Sequence, residues 1–259
     1  VIEVETSGDV TVVRLAHGKV NALDLELCQE ITATAREVDA GPAGAVVLTG
    51  SGRAFSAGVD LERVVSGGAD YVEAFLPALS EAFRAVFDLG KPVVAAINGH
   101  AIAGGCVLAA ACDHRVMAGG TIGVPELLVG VPFPAAALEI MEYALGPVGA
   151  RRAILDGRNH AAAEALARGF VDEVTAPETL LERAMAVAGR LAAAIPADAF
   201  RHTKRQLHAD AAGRLAAEPA TARLWRTAAA DGRIRAFMDR TVAARRNHPA
   251  SDIGQPGAR

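Results

Sequence analysis

At 259 residues the chain is long enough for one sizeable domain with a smaller appendage and too short for two full domains. Hydrophobic residues make up 51% and charged residues 22%, which excludes wholesale disorder, and a formal net charge of −4 argues against a nucleic-acid surface. Cys28, Cys106 and Cys112 cannot form a disulfide framework, and none has a CxxC partner or a histidine at zinc-ligand spacing, so no metal is expected. They read as small buried hydrophobes of a reducing compartment. The chain opens on Val1-Ile2-Glu3-Val4, without the basic and apolar regions of a secretory leader, so a cytoplasmic location is expected.

In chain order, Val10 to Leu15 is β-branched and predicts a strand, with Ile2 to Glu5 as its partner. Leu23, Leu27, Ile31, Ala35 and Val38 recur at helical spacing, and Asn21 is the predicted cap of that helix. Ala45 to Thr49 is a short apolar run ended by Gly50-Ser51-Gly52, the pattern of a strand covered on both faces. A helix is expected over Tyr71 to Leu89, a second buried strand over Val93 to Ile97, a helix from Gly104 to Ala111 and a strand from Asp113 to Ala118. The most apolar stretch, Pro92 to Cys112, is interrupted by Asn98-Gly99-His100 and by Gly104-Gly105. It therefore predicts two short buried elements around a turn, not a membrane span of about 20 residues. After Phe133 helical periodicity dominates: Ala135 to Leu145, Ala150 to Leu155, Ala161 to Ala167, Pro177 to Ala194 and segments to about Arg246. Phe170 to Thr175 is the one late strand. Asn247 to Arg259, rich in Pro, Gly and polar residues, predicts a mobile tail. The expected organisation is an α/β core over residues 1–195 followed by a helical region and tail over 196–259.

Two segments share a layout. Val46-Val47-Leu48-Thr49-Gly50 leads to Arg53-Ala54-Phe55-Ser56-Ala57-Gly58-Val59-Asp60-Leu61. Val93-Val94-Ala95-Ala96-Ile97-Asn98-Gly99 leads to Ala103-Gly104-Gly105-Cys106. In each, a buried strand runs into a turn of small residues and a helix starts just beyond. Backbone N–H groups there lack internal partners and can hold an anion or a developing negative oxygen. Two such donors converging on one point make an oxyanion hole. Either turn alone also suits plain helix–strand packing. Neither fits a dinucleotide fingerprint or a phosphate loop, and no GxSxG nucleophile elbow is present.

These two turns, followed in order by Cys112-Asp113 and Ile122-Gly123-Val124-Pro125-Glu126, resemble the crotonase, or enoyl-CoA hydratase/isomerase, family. The resemblance runs from Val4 to about Thr175 and includes Gly157-Arg158 and Ala162 to Asp172. It implies a crotonase-like spiral of strand–strand–helix repeats with a C-terminal helical trimerisation region, assembled as a homotrimer or a dimer of trimers. It implies an acyl-CoA thioester as ligand, with coenzyme A part of the substrate and no separate cofactor, and no nucleic-acid or membrane partner. By the same match the amides of Val59 and Gly104 form the oxyanion hole. The substrate site includes Ala57, Val59, Asp60, Leu61 and Gly104, and Glu126 is the acid/base. Asp60 has an equal reading as a helix cap.

One departure is informative. Hydratases of the family resemble one another in carrying two glutamates. Here one matches Glu126, while the other falls on Val107, which can neither give nor take a proton. A single glutamate resembles the Δ3,Δ2-enoyl-CoA isomerase branch, in which Glu126 would move a proton from C2 to C4 through a dienolate. An enoyl-CoA hydratase and a non-catalytic acyl-CoA-binding protein are the alternatives. Val124, Pro125, Leu127 and Leu128 are the expected apolar pocket that raises the pKa of Glu126. Glu139 and Glu142 are read as solvated residues of a helix face. His100 is expected to bond its own loop, His114 to sit on a strand, and Asp113 to accept structural hydrogen bonds. Trp225 and Phe237 are read as core or interface anchors, and Arg245-Arg246 as a solvated helix end. Val131-Pro132-Phe133-Pro134, a stiff stretch, is expected to reshape the acyl pocket.

Overall fold

The computed structural model describes the backbone of residues 1–214 and 219–247, with side chains through 209 and from 219 to 242. The hairpin β1 (Ile2–Ser7) and β2 (Val10–Leu15) leads into α1 (Leu25–Ala40). Three strand–strand–helix turns follow: β3 (Ala45–Gly50), β4 (Ala54–Ser56) and α2 (Leu61–Phe87); β5 (Val93–Ile97), β6 (His100–Ile102) and α3 (Gly104–Ala110); β7 (His114–Met117), β8 (Thr121–Gly123) and α4 (Glu126–Val129). The chain continues through α5 (Ala135–Asp156), β9 (Asn159–Ala161), α6 (Ala162–Ala167), β10 (Glu173–Val174), α7 (Leu180–Ala194), α8 (Ala197–Arg214), α9 (Pro219–Ala230) and α10 (Arg233–Asn247).

The first strand of each turn joins a six-stranded sheet in the order β1-β2-β3-β5-β7-β10, parallel except for the β1–β2 hairpin. The second strand joins a smaller sheet, β4-β6-β8-β9. The chain thus winds as a spiral with one strand per turn in each sheet. The centre of the large sheet is covered on both faces, which is why β3 and β5 read as apolar runs. Alternate side chains serve opposite cores. Val12, Val47, Val94 and Val116 face α7 through Leu180, Ala184, Val187 and Ala188. Val13, Leu48 and Ala95 face the main core with Leu27, Ile31, Phe83 and Phe87 of α1 and α2.

Several expectations needed correction. Asn21 does not cap α1. Asp24 does, its Oδ1 accepting from the Leu27 amide at 2.8 Å. Asn21 instead adopts φ 51°, a conformation its short polar side chain tolerates, and is fully buried. α2 begins at Leu61, ten residues ahead of the expected start, because a break at Gly68 (φ 61°) joins two helical pieces that the Gly67-Gly68 pair separates in the sequence. The same happens in α5 at Gly146 (φ 68°). The late strand shrinks to Glu173–Val174. Pro92 to Cys112 resolves, as expected, into β5, β6 and α3, and among the described residues no helix is long and apolar enough to cross a membrane.

Candidate active site

β4, β6 and β8 are neighbouring parallel strands of the small sheet. Their carboxyl ends therefore lie side by side, about 4.8 Å apart from strand to strand. The segments that leave those ends are Ala57-Gly58-Val59, Ala103-Gly104 and Val124-Pro125-Glu126. The crevice beyond the carboxyl ends of parallel strands is where ligands of open α/β sheets bind.

The first turn is fixed from behind. The Asn21 side-chain amide donates to the carbonyls of Ala54 and Phe55 at 3.0 and 3.2 Å. The Ser56 hydroxyl donates to the Asn21 carbonyl at 2.7 Å and accepts from the Gly58 amide at 3.2 Å. Leu23 bonds around Val59, its amide donating to Gly58 O and its carbonyl accepting from Asp60 N. The Val59 amide itself is left out of that pairing.

The second turn rests on the first. A Cβ at Gly58 (φ 82°) would lie 2.8 Å from Ala103 Cβ and 3.2 Å from the Gly104 nitrogen. A Cβ at Gly105 would strike the Ser56 carbonyl oxygen. Only glycines let the two backbones approach this closely. Ala103 takes the strained φ of 53° at the start of α3 and offers no side-chain cap. Among the described residues, the Val59 and Gly104 amides take no part in the turn and loop hydrogen bonds that secure their neighbours.

The third segment carries the carboxyl group. The Ala103 amide donates to the Gly123 carbonyl at 2.8 Å, which ties the end of β8 to the second turn. Three residues on, Glu126 opens α4, 7% exposed, with no hydrogen-bond partner for its Oε2. Burial in an apolar surround pushes its pKa from the ordinary 4.5 up to about 8, its own amide opposing the shift only in part.

Glu126, Val59, Ala57 and Leu61 line one cavity of about 690 Å³, with Ala103 of the second turn beside them. Its lining includes the polar residues Arg53, His100, Thr121 and Asn159 and the apolar residues Val129, Val131, Trp225 and Phe237. Among the described residues that line it, Glu126 is the one carboxylate. Gly104 is buried and lies outside the lining. Asp60 lies outside the lining and caps α2, accepting from the Arg63 amide at 3.1 Å. Val107 is fully buried on α3.

The structure alters other expectations at the site. Leu127 is 43% exposed and outside the cavity; Ile102, Val129 and Val131 supply the apolar surround in its place. His100 bonds β8 rather than its own loop, its Nδ1 accepting from the Thr121 amide at 3.2 Å and lying 3.0 Å from the Thr121 hydroxyl. Glu139 is buried, not solvated. Trp225 and Phe237 are cavity walls as well as packing residues. The strand position of His114 and the acceptor role of Asp113, which takes bonds from the Val93 amide and Lys204, are as expected. The side chains of Arg245 and Arg246, and the tail beyond Asn247, lie outside the described residues. Asn21, Ser56 and Leu23 are positioning residues that the sequence reading missed. The only signal was an Asn-Ala-Leu-Asp stretch, which resembles an ordinary helix start.

A family profile for enoyl-CoA hydratase/isomerase matches residues 5–229. A probable enoyl-CoA hydratase of Rhizobium meliloti is 38% identical over 193 residues, 73% of this chain and 74% of that protein. The mouse mitochondrial enoyl-CoA delta isomerase 1 is 32% identical over 191 residues, 72% of this chain and 66% of that protein. The crystal structure of human mitochondrial delta3-delta2-enoyl-CoA isomerase superposes with a TM-score of 0.85 at 27% identity, covering 95% of this chain and 98% of the other. The spiral fold is that of the crotonase-type enzymes. The chain belongs to the enoyl-CoA hydratase/isomerase family.

Proposed function

We propose that the protein shifts the double bond of a 3-enoyl-CoA to the 2-position, with Glu126 as its acid and base. The observation that carries this reading is the solitary carboxylate of the cavity, buried and held at a pKa of about 8. In the proposed reaction the Val59 and Gly104 amides hold the thioester oxygen, which draws charge from the acyl chain and acidifies C2. Ionised Glu126 removes the C2 proton. The dienolate rests on the two amides, and protonated Glu126 returns the proton to C4. One group suffices because the proton leaves and returns on the same face. A pKa near the working pH suits both steps. Adding water across the 2,3-bond asks for a second polar group to aim the water, and the position after the second turn that could supply one is Val107, fully buried.

The hydratase descriptions among the relatives favour a second reading, hydration of 2-enoyl-CoA. Turnover of 3-enoyl-CoA and of 2-enoyl-CoA by the same preparation separates the two. The expected outcome is formation of 2-enoyl-CoA, with hydration slower by at least about a hundredfold. Consumption of 2-enoyl-CoA alone, with water added, would overturn the proposal. Trimeric assembly and a substrate loop from Arg53 to Leu61 belong to the same proposal, and light scattering reads the first.

Titration gives a further check. kcat/KM for the 3-enoyl substrate should rise with pH through about 8, as Glu126 loses its proton. Stability should move the other way. Between pH 4.5 and about 8 the folded state keeps a proton that the unfolded chain releases, so stability falls as pH rises across that window, by a few kcal/mol in all. Denaturant melts of Glu126→Gln, which cannot ionise, should lose that slope.

A further inference from the structure

A second cavity, of about 430 Å³, is one that the proposed reaction does not use. Val72, Leu76, Ala136 and Ala222 give it an apolar floor, and Arg226 and Glu73, 3.8 Å apart, reach across its rim. The two cavities share no lining residue but are built on the same elements. α2 lends Leu61 to the first and Val72 to the second; residues 131–136 lend Val131 to the first and Pro134 to the second; α9 lends Trp225 to the first and Ala222 to the second. Where α9 meets the 131–136 stretch, Trp225 Nε1 donates to the Pro132 carbonyl at 2.9 Å. The indole is 2% exposed, so the bond is shielded and fixes the ring.

We infer that Trp225, clasped to Pro132, is the specificity-determining end wall of the acyl site: it stops the acyl tail short of the second cavity and limits the enzyme to chains that fit the first. The inference rests on the acyl-thioester reading above. Its physical basis is that an apolar pocket of fixed depth rewards each methylene it can bury and rejects the first one it cannot hold without moving packed side chains. The Pro132 and Pro134 rings on one side and the hydrogen-bonded indole on the other leave little freedom to yield.

The experiment measures kcat/KM on 3-enoyl-CoA substrates of increasing length for the parent, Trp225→Ala, Trp225→Leu, Ala222→Phe and the double variant Trp225→Ala/Ala222→Phe. Trp225→Leu keeps apolar packing should Trp225→Ala fold poorly. The parent is expected to fall off beyond a limiting length. Removing the indole should raise the long-to-short ratio by about tenfold or more. Ala222→Phe, which fills the second cavity, should leave the parent's profile in place and return the double variant's ratio toward it. A merely structural role for Trp225 would lower turnover at every length and would not respond to Ala222→Phe. An unchanged ratio in folded Trp225→Ala or Trp225→Leu overturns the inference, as does a raised ratio that survives in the double variant. Turnover by the parent distinguishes these outcomes from failure of the acyl-CoA reading itself. A parent inactive at every length overturns that reading and the inference with it.

Discussion

The two glycine-bearing turns look alike in sequence but differ in how the helix beyond each is finished. After the first, the Asp60 side chain caps α2, and the free amide, Val59, sits one residue ahead of the cap. After the second, Ala103 provides no cap, and the free amide, Gly104, is the first residue of a wholly buried helix. Capping would satisfy the donors a reaction needs. In the first turn the chain keeps its cap by placing the free amide outside the helix. In the second it forgoes the cap and accepts a strained alanine. The strain is tolerable because the Ala103 amide is tied to Gly123 and Gly105 packs on Ser56.

Substitutions at three positions test this contrast, from the largest effect to the smallest. Gly105→Val drives a branched side chain into the Ser56 carbonyl. It should cost more than about 3 kcal/mol in a denaturant melt and remove activity altogether, since the two turns must separate. Gly58→Ala puts a methyl 2.8 Å from Ala103 Cβ in a conformation that L residues avoid. It should cost about 1–3 kcal/mol and lower turnover about a hundredfold, because it displaces Val59 from Gly104. If turnover survives at the parent's level, the two amides do not act as a pair. Asp60→Ala should cost only about 1 kcal/mol, and Asp60→Asn, which keeps an acceptor, should recover most of it. A loss well beyond that would mean that the first turn depends on its cap more than the geometry indicates.

The large sheet was legible in the sequence and the small one was not. Val10–Leu15 and Val93–Ile97 appear with the expected bounds because a β-branched run in the first and five apolar residues in a row in the second leave little room for another reading. β4, β6, β8 and β9 are three residues long, too short for any period to show, yet three of them carry the site. Glu126 and the two turns were found through a resemblance, not through pattern, since a lone Pro-Glu has no signature of its own. Burial of Glu139, the Trp225 clasp and the Asn21 brace depend on contacts between residues far apart in the chain, such as Trp225 with Pro132, which no local rule reports.

The central claim is that a single buried carboxyl group moves protons beside a thioester held by two backbone amides. Exchange of the C2 protons of a saturated acyl-CoA in deuterated water measures that directly, because it needs only the first half of the proposed reaction. The account predicts exchange with the parent protein and its loss, by at least about a thousandfold, in Glu126→Gln. Exchange that persists in folded Glu126→Gln, or that never occurs in the parent, would contradict it.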